Sequence, residues 1–424
     1  GRWLGLRLGG RLGQQLEDAG EERFHEPGRD GWVKHGQHDA PGRGQVLSPR
    51  RWDYHRGRRM RSTPLPVLAL ALVILGGCRP KELEHPRDEK TLLARSAIAP
   101  EADRLIDALM HHRIKDLHAW MTPGLQGQVR LGDLSATSQR LRDGYGEPIG
   151  ILEERTHQEG ALRWYSGLVV HAHGKPGSPD RRLHQRLVLY QFALAGDRLD
   201  RLLVREHLDV KALRIPARRY TLVTRPHFIS TGEWTVSHGG KRRGTNYHHG
   251  SRSQYYAYDI VVQKGGRSRR GRGNEGAYCY GLPVLATAPG TVVRAINDVA
   301  ENPPGQSGKA GGNGVVINHG FGELSSAWHM IPGSVTVKVG DKVELGQQIG
   351  RVGNSGRSSG PHIHFHFSSD QANPIALQAP FVDVYVDGAW YPRRMPVRGE
   401  RVRRSKLERG EDKARAGVLI DATM

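Results

Sequence analysis

From about residue 215 to about 395, apolar residues come only in short runs separated by Gly, Pro and Asn. LPVLATAPGTVVRAI, GNGVVINHG, SVTVKVGDKVELGQQIGRVG and PHIHFHF are examples. Runs this short leave no length for helices and predict an all-β antiparallel sandwich or barrel over residues 211–395. Two insertions interrupt the pattern, KGGRSRRGRG (264–273) and the loop 301–314. The last run also carries chemistry. His362, His364 and His366 occupy alternate positions, and side chains on a strand alternate faces. The imidazoles therefore share one face while Ile363, Phe365 and Phe367 anchor the other. Neutral imidazole is a common zinc ligand, and a catalytic zinc takes three protein ligands and leaves one position open. Further ligands must come from elsewhere in the chain.

The preceding stretch has a different texture. PEADRLIDALMHHRIKDLHAWM (100–121) places apolar residues at helical spacing behind Pro100, and 134–142 is a second helix candidate. Strand-like runs follow at 162–174, 185–194 and 199–208, with Gly196-Asp197 as a hairpin turn. Helices followed by an antiparallel sheet predict a small α+β domain over residues 98–210. It is similar in pattern to cone-shaped nuclear-transport-factor-like domains. His111, His112 and His118 read as helix-surface residues. At 424 residues the chain has room for two or three domains.

MRSTPLPVLALALVILGGC (60–78) pairs a basic start with an apolar run that is too short to span a membrane, and reads as a secretory signal. Its ending resembles a bacterial lipobox, which implies lipidation at Cys78, membrane attachment through that lipid, and Met60 as the true start. Residues 1–59 then read as upstream read-through or a disordered segment. In such lipoproteins a residue other than Asp after the cysteine implies the outer membrane, facing the periplasm, and here it is Arg79. Residues 79–97 read as a tether, and the charged stretch 396–424 as a flexible tail. Cys279 is left without a disulfide partner and reads as a small buried residue. The formal charge of +20 favours anionic partners, although a Gly- and Arg-favouring base composition explains it equally well. No nucleic-acid motif is visible, and no nucleic-acid partner is expected.

The order GQQIGRVGNSGRSSGPHIHFHF resembles the signature of LytM/lysostaphin-type zinc metallopeptidases. The other landmarks come in that family's order: NYHHGSRSQYYAYDI, then GLPVLATAPGTVV, then GNGVVINHGFGELSSAWHM. The resemblance covers about 180 residues. It implies a Zn2+ cofactor held by His248, Asp259 and His364, with His329 and His362 as non-ligand catalytic histidines. It also implies an endopeptidase that hydrolyses peptide bonds in peptidoglycan stems or cross-bridges during cell-wall remodelling. Two imidazoles and one carboxylate would leave the ion a net positive charge, which favours ionisation of water there.

Two positions depart from the best-known members, in which the first His precedes the Asp by four residues. Position 255 is Tyr, and the chain instead matches a longer form through Asn246, Tyr247, His248, Gln254, Ala257 and Asp259, with His249 a rival to His248. Position 366 is His where the family usually has Glu, so His366 is either a surface or neighbouring group or a fourth ligand that closes the site. The rival function is a non-catalytic, cell-wall-binding activator of an amidase, and an amidase or divisome protein is a further expected partner. The segment 209–246, rich in Arg and aromatics, is a candidate cover for the site.

Overall fold

The computed structural model describes residues 87–94, 99–175, 184–214, 216, 219–309 and 311–405, which all belong to one compact unit. The signal-like run 60–78, with Cys78, and residues 1–59 lie outside the described residues. Among the described residues, four α-helices precede the sheets: α1 (Pro100–Met110), α2 (Ile114–Trp120), α3 (Pro123–Gln126) and α4 (Leu131–Arg140). In α1 the fixed φ of Pro100 opens the helix and Glu101 and Asp103 lie at its positive end. Ala102, Leu105, Ile106, Leu109 and Met110 form its buried stripe.

The helices cover one face of an antiparallel sheet made of β1 (Glu147–Glu159), β2 (Leu162–Ala172), β3 (Arg186–Ala195) and β4 (Arg198–Glu206), in that order. Tyr165, Val169, Val188, Tyr190 and Phe192 share a core with the helices. Leu168, Val170, Leu187 and Leu189 point to the other face, where Val223 and Phe321 cover them. Burial on both faces is why β2 and β3 read as nearly unbroken apolar runs.

The remaining strands are β5 (Glu233–His238), β6 (Tyr258–Val261), β7 (Pro283–Leu285), β8 (Gly290–Ile296), β9 (Asn313–Asn318) and β10 (Glu323–Met330). They continue with β11 (Lys342–Val343), β12 (Gln348–Arg351), β13 (Ile363–Ser369) and β14 (Ala376–Leu377). The last are β15 (Phe381–Val386), β16 (Ala389–Arg394) and β17 (Arg401–Arg404). An antiparallel sheet runs β11-β8-β9-β10-β13-β6-β5-β17-β15-β16, with β14 beside β13, and β7 pairs with β12 separately. Phe365, Phe367, Phe381, Trp234 and Tyr258 from the sheet pack with Val284 and Ile349 of the β7–β12 pair.

Two expectations need correction. The segment 209–246 is not a cover: Tyr220, Leu222, Phe228, Ile229 and Trp234 are core residues, and β5 lies inside the sheet. Its aromatics turn inward because burying them removes large apolar areas from water. The sheet also does not stop at 395, since Arg401–Arg404 pairs with both β5 and β15 and buries Val402.

One contact with the four-stranded sheet lies just before β10, at the end of that strand away from His329. The fully buried carboxylate of Glu323 accepts from the Tyr220 hydroxyl at 2.7 Å and from the amides of Val223 and Thr224 at 2.7 and 2.8 Å. Glu153 of β1 accepts from the Phe321 amide at 2.8 Å. Strand β1 is thus joined, through Phe321 just before β10, to the end of that strand away from His329.

Candidate active site

The site grows from strand register. Asp259 of β6 sits across from His364 of β13, and His364 sits across from Trp328 of β10. His238 at the end of β5 lies on the other side of Asp259. On β13, Ile363, Phe365 and Phe367 are 1%, 1% and 0% exposed and belong to the core, so His364 and His366 must occupy the opposite face.

His248 arrives on a 3-10 turn, Tyr247–Gly250, whose cap is Asn246. The Asn246 amide nitrogen donates to the carbonyls of Gly240 (3.2 Å) and Ala257 (3.0 Å), which fixes its oxygen toward His248. That oxygen accepts from the His248 backbone amide at 3.1 Å and lies 2.8 Å from Nδ1. The Nδ1 proton is therefore committed to Asn246, and Nε2 keeps its lone pair. Nε2 is buried, has no hydrogen-bond partner among the described residues, and lies 3.4 Å from Asp259 Oδ1. Burial lowers the His248 pKa to about 4, with Asp259 opposing that shift.

Three imidazole nitrogens converge on that one oxygen: His364 Nδ1 at 3.0 Å, His248 Nε2 at 3.4 Å and His362 Nε2 at 3.5 Å. The other oxygen, Oδ2, accepts from the Tyr247 hydroxyl at 2.7 Å. Burial opposes ionisation of Asp259, but hydrogen bonds from His362 and His364 outweigh it and hold the carboxyl well below its usual range.

His329 reaches the site through a defect in its strand. The β9–β10 register slips between Trp328 and Met330, and His329 adopts φ 72°. A β-bulge of this kind re-aims a side chain, and strained non-glycine backbone concentrates at functional sites. Its Nδ1 donates to the Ser355 carbonyl at 2.8 Å, which leaves Nε2 as the basic nitrogen. Burial, then the neighbouring His362 and His364, lower its pKa to about 3. His362, whose side chain is 16% exposed, donates from Nδ1 to the Gly360 carbonyl at 2.8 Å. Burial would lower its pKa, but Asp259 prevails and raises it. The His329 and His362 rings stand 4.8 Å apart.

The five residues singled out in the sequence are thus together. Among the described residues two ligand-like groups emerge, His248/Asp259/His364 and His329/His362/His364, each with its donor atoms within 4.8 Å of one another. His249 is not in either; its ring stacks on Tyr255 at 4.0 Å. His366 is buried 3.2 Å from His364 Nε2 and is also outside both groups. Sequence reasoning missed the Tyr247 bond to Asp259, although Tyr247 stands in the quoted Asn-Tyr-His. It also missed the place of His238 beside Asp259, for which no local signal exists. Cys279 is buried with its thiol on the Pro361 carbonyl, and burial pushes its pKa up to about 11. His111, His112 and His118 bond to Asp107, Ser138 and the Val129 carbonyl, away from the site.

A tetrahedral zinc with bonds near 2.0–2.1 Å places its ligand atoms about 3.3 Å apart. The spacings of 3.0 and 3.4 Å around Asp259 Oδ1, and the unpartnered buried Nε2 of His248, fit such an ion.

Residues 269–376 match the model of Peptidase family M23, a span that includes His329, His362 and His364 but starts after His248 and Asp259. The chain is 36% identical over 110 residues to the glycyl-glycine endopeptidase ALE-1 of Staphylococcus capitis, covering 26% of this chain and 29% of that protein. It is 38% identical over 93 residues to the peptidoglycan DD-endopeptidase ShyA of Vibrio cholerae, covering 22% and 19%. The chain therefore spans less than a third of these relatives' own length. Among solved structures, the catalytic domain of the prophage-encoded M23 protein EnpA of Enterococcus faecalis, a point mutant, is 25% identical. That match covers 36% of this chain and 92% of EnpA's, with a TM-score of 0.25. Residues 269–376 are thus similar to Peptidase family M23, and the glycyl-glycine endopeptidase ALE-1 and lysostaphin are among the chain's relatives.

Proposed function

We propose that the protein is a zinc-dependent endopeptidase acting on peptide stems or cross-bridges of peptidoglycan. The observation that carries this reading is the convergence of His248 Nε2 and His364 Nδ1 on Asp259 Oδ1, with Nε2 buried and without a hydrogen-bond partner among the described residues. Those three atoms would hold the ion. When bound, zinc supplies a Lewis acid that polarises a scissile carbonyl and acidifies water.

The remaining steps belong to the protein. Asn246 and Tyr247 hold His248 and Asp259 in place, so the site is organised before substrate arrives. His329, neutral and with Nδ1 committed to the Ser355 carbonyl, offers Nε2 to accept a proton from the attacking water. His362 stands at the solvent edge of the pair, where its Nε2 can serve the developing oxyanion or the departing amine. A non-catalytic amidase activator has no need of such a set, and its members usually lack metal ligands.

The signal-like run ending in Cys78 supports an outer-membrane lipoprotein facing the periplasm, where the wall is. The cone-like α+β domain would then space the peptidase from the lipid. Through Glu153 it meets the Phe321 amide just before β10, at the end of that strand opposite His329.

Purified protein incubated with sacculi, with and without a chelator, tests the reading. New peptide ends that vanish with chelator and return with zinc, read by mass spectrometry, are the expected result. A protein that binds one zinc and cuts nothing, alone or with substrate peptides, would overturn the enzyme; one that binds no zinc would leave the activator.

A further inference from the structure

His366 lies on the site-bearing face of β13, 6% exposed, across from the small Ser326 of β10. Its Nδ1 is 3.2 Å from His364 Nε2, and the two rings meet edge-on with centroids 5.2 Å apart. On the other side of the His364 ring, Nδ1 is 3.0 Å from Asp259 Oδ1. A neutral imidazole has one N–H and one lone pair, so these two contacts are linked. With the hydrogen on Nε2, the lone pair of Nδ1 faces a carboxylate oxygen, an arrangement that repels unless a cation is shared between them. With the hydrogen on Nδ1, Asp259 takes it and His364 cannot ligate from that atom.

Resting on the zinc reading above, we infer that His366 is a positioning residue: its Nδ1 accepts the Nε2 proton of His364 and so commits the His364 Nδ1 lone pair to the metal. His366 does not itself ligate. Its Nδ1 lone pair is engaged by His364, and it lies outside both groups of converging donor atoms. Partners that orient a ligand histidine through its distal N–H typically account for 10–100-fold in metal affinity. A ring nitrogen does this without adding charge, so the site keeps Asp259 as its only carboxylate among the described residues in the two groups.

The test is zinc affinity of the full chain, measured by competition with a chromophoric chelator, for His366→Leu, His366→Gln and His366→Glu. The Leu variant should bind zinc about 10–100-fold more weakly. Gln and Glu each return an acceptor and should stay within a few-fold of the parent or bind more tightly. Cobalt-substituted spectra should keep one shape across the series, because the ligands do not change. In the zinc-loaded parent, two-bond proton–nitrogen spectra should show His364 protonated at Nε2. A Leu variant that binds like the parent overturns the inference while leaving the zinc site intact. A cobalt spectrum that changes with Leu and is not restored by Glu overturns it in favour of His366 as a ligand. A parent chain that takes up no zinc overturns the zinc reading, and the inference with it.

Discussion

The hydroxyl of Tyr247 donates to Asp259 Oδ2 at 2.7 Å although the Tyr247 residue itself is 61% exposed. The ring lies over His248, with centroids 4.1 Å apart, and so clamps two adjacent groups of the site at once. By taking Oδ2 it leaves Oδ1 as the oxygen that faces His248 and His364. Tyr247→Phe keeps the ring over His248 and removes only this bond. Zinc affinity should fall by about tenfold, while the thermal unfolding midpoint of the metal-free protein stays within a degree or two. Isothermal titration with zinc measures the first and calorimetry the second; an unchanged affinity would remove Tyr247 from the site's support.

Glu323 should be far more important for stability than for the site. Its carboxylate takes three donors from the 220–224 segment and is 0% exposed. Burial raises its pKa and those hydrogen bonds oppose the shift. Glu323→Ala leaves a buried hydroxyl and two buried amides unpaired, at a cost of about 3–5 kcal/mol. Glu323→Gln keeps one acceptor oxygen and should cost less than half of that. Urea unfolding of both variants checks the order; equal losses would mean that Glu323 packs rather than bonds.

Much of this site could be read from the chain because strand alternation is a local rule. His364 and His366 against Ile363, Phe365 and Phe367 needs only the period of two; the whole strand is buried, and the three apolar side chains are the ones that join the hydrophobic core. His329 could not be read that way. Its place depends on a slip of register between strands joined only in three dimensions, and on a φ of 72° that no neighbouring residue announces. The choice between His248 and His249 was equally hidden. On a tight 3-10 turn, consecutive side chains diverge widely, and the decision falls to Asn246, whose amide is set by carbonyls at 240 and 257. The strand Glu147–Glu159 escaped notice because EERTHQ carries no apolar alternation, and two bulges break its phase against β2. The segment 209–246 misled through composition. Arg and aromatic residues suggested a surface cover, while Arg225 in fact lies over the Trp164 ring at 3.7 Å and pairs with the buried Glu159.

Acid should weaken the fold through buried histidines outside the site. His319 donates from Nδ1 to the Pro289 carbonyl at 2.7 Å and faces the Ser325 hydroxyl through Nε2 at 2.8 Å. Burial is the main cause that lowers its pKa to about 4. The folded value is below the unfolded value of about 6.5, so the unfolded chain binds the proton first. His319 therefore contributes its full stability above pH 6.5 and loses it as the pH falls toward 4, at up to about 1.4 kcal/mol per pH unit. His207, which burial also holds well below its ordinary value, acts in the same direction. Thermal unfolding of the metal-free protein across this range should show the decline, and His319→Asn should flatten it. A decline of the same slope in both proteins would assign the acid sensitivity elsewhere.

The two histidines facing the ligands should separate chemistry from metal binding. His329 is held by a backbone conformation that Asn tolerates better than most residues, so His329→Asn is the variant that keeps the bulge. It and His362→Ala should each lower kcat on sacculi or a cross-bridge peptide by about 10²–10⁴, the usual worth of a positioned acid or base. Bound zinc, measured on the purified protein, should remain at one per chain. His248→Ala and His364→Ala should instead lose the metal along with activity. The alternative group His329/His362/His364 makes the opposite forecast for His329, because there it would be a ligand. Loss of zinc in His329→Asn, with zinc retained in His248→Ala, would move the metal across His364 to that second group and leave Asp259 as the base.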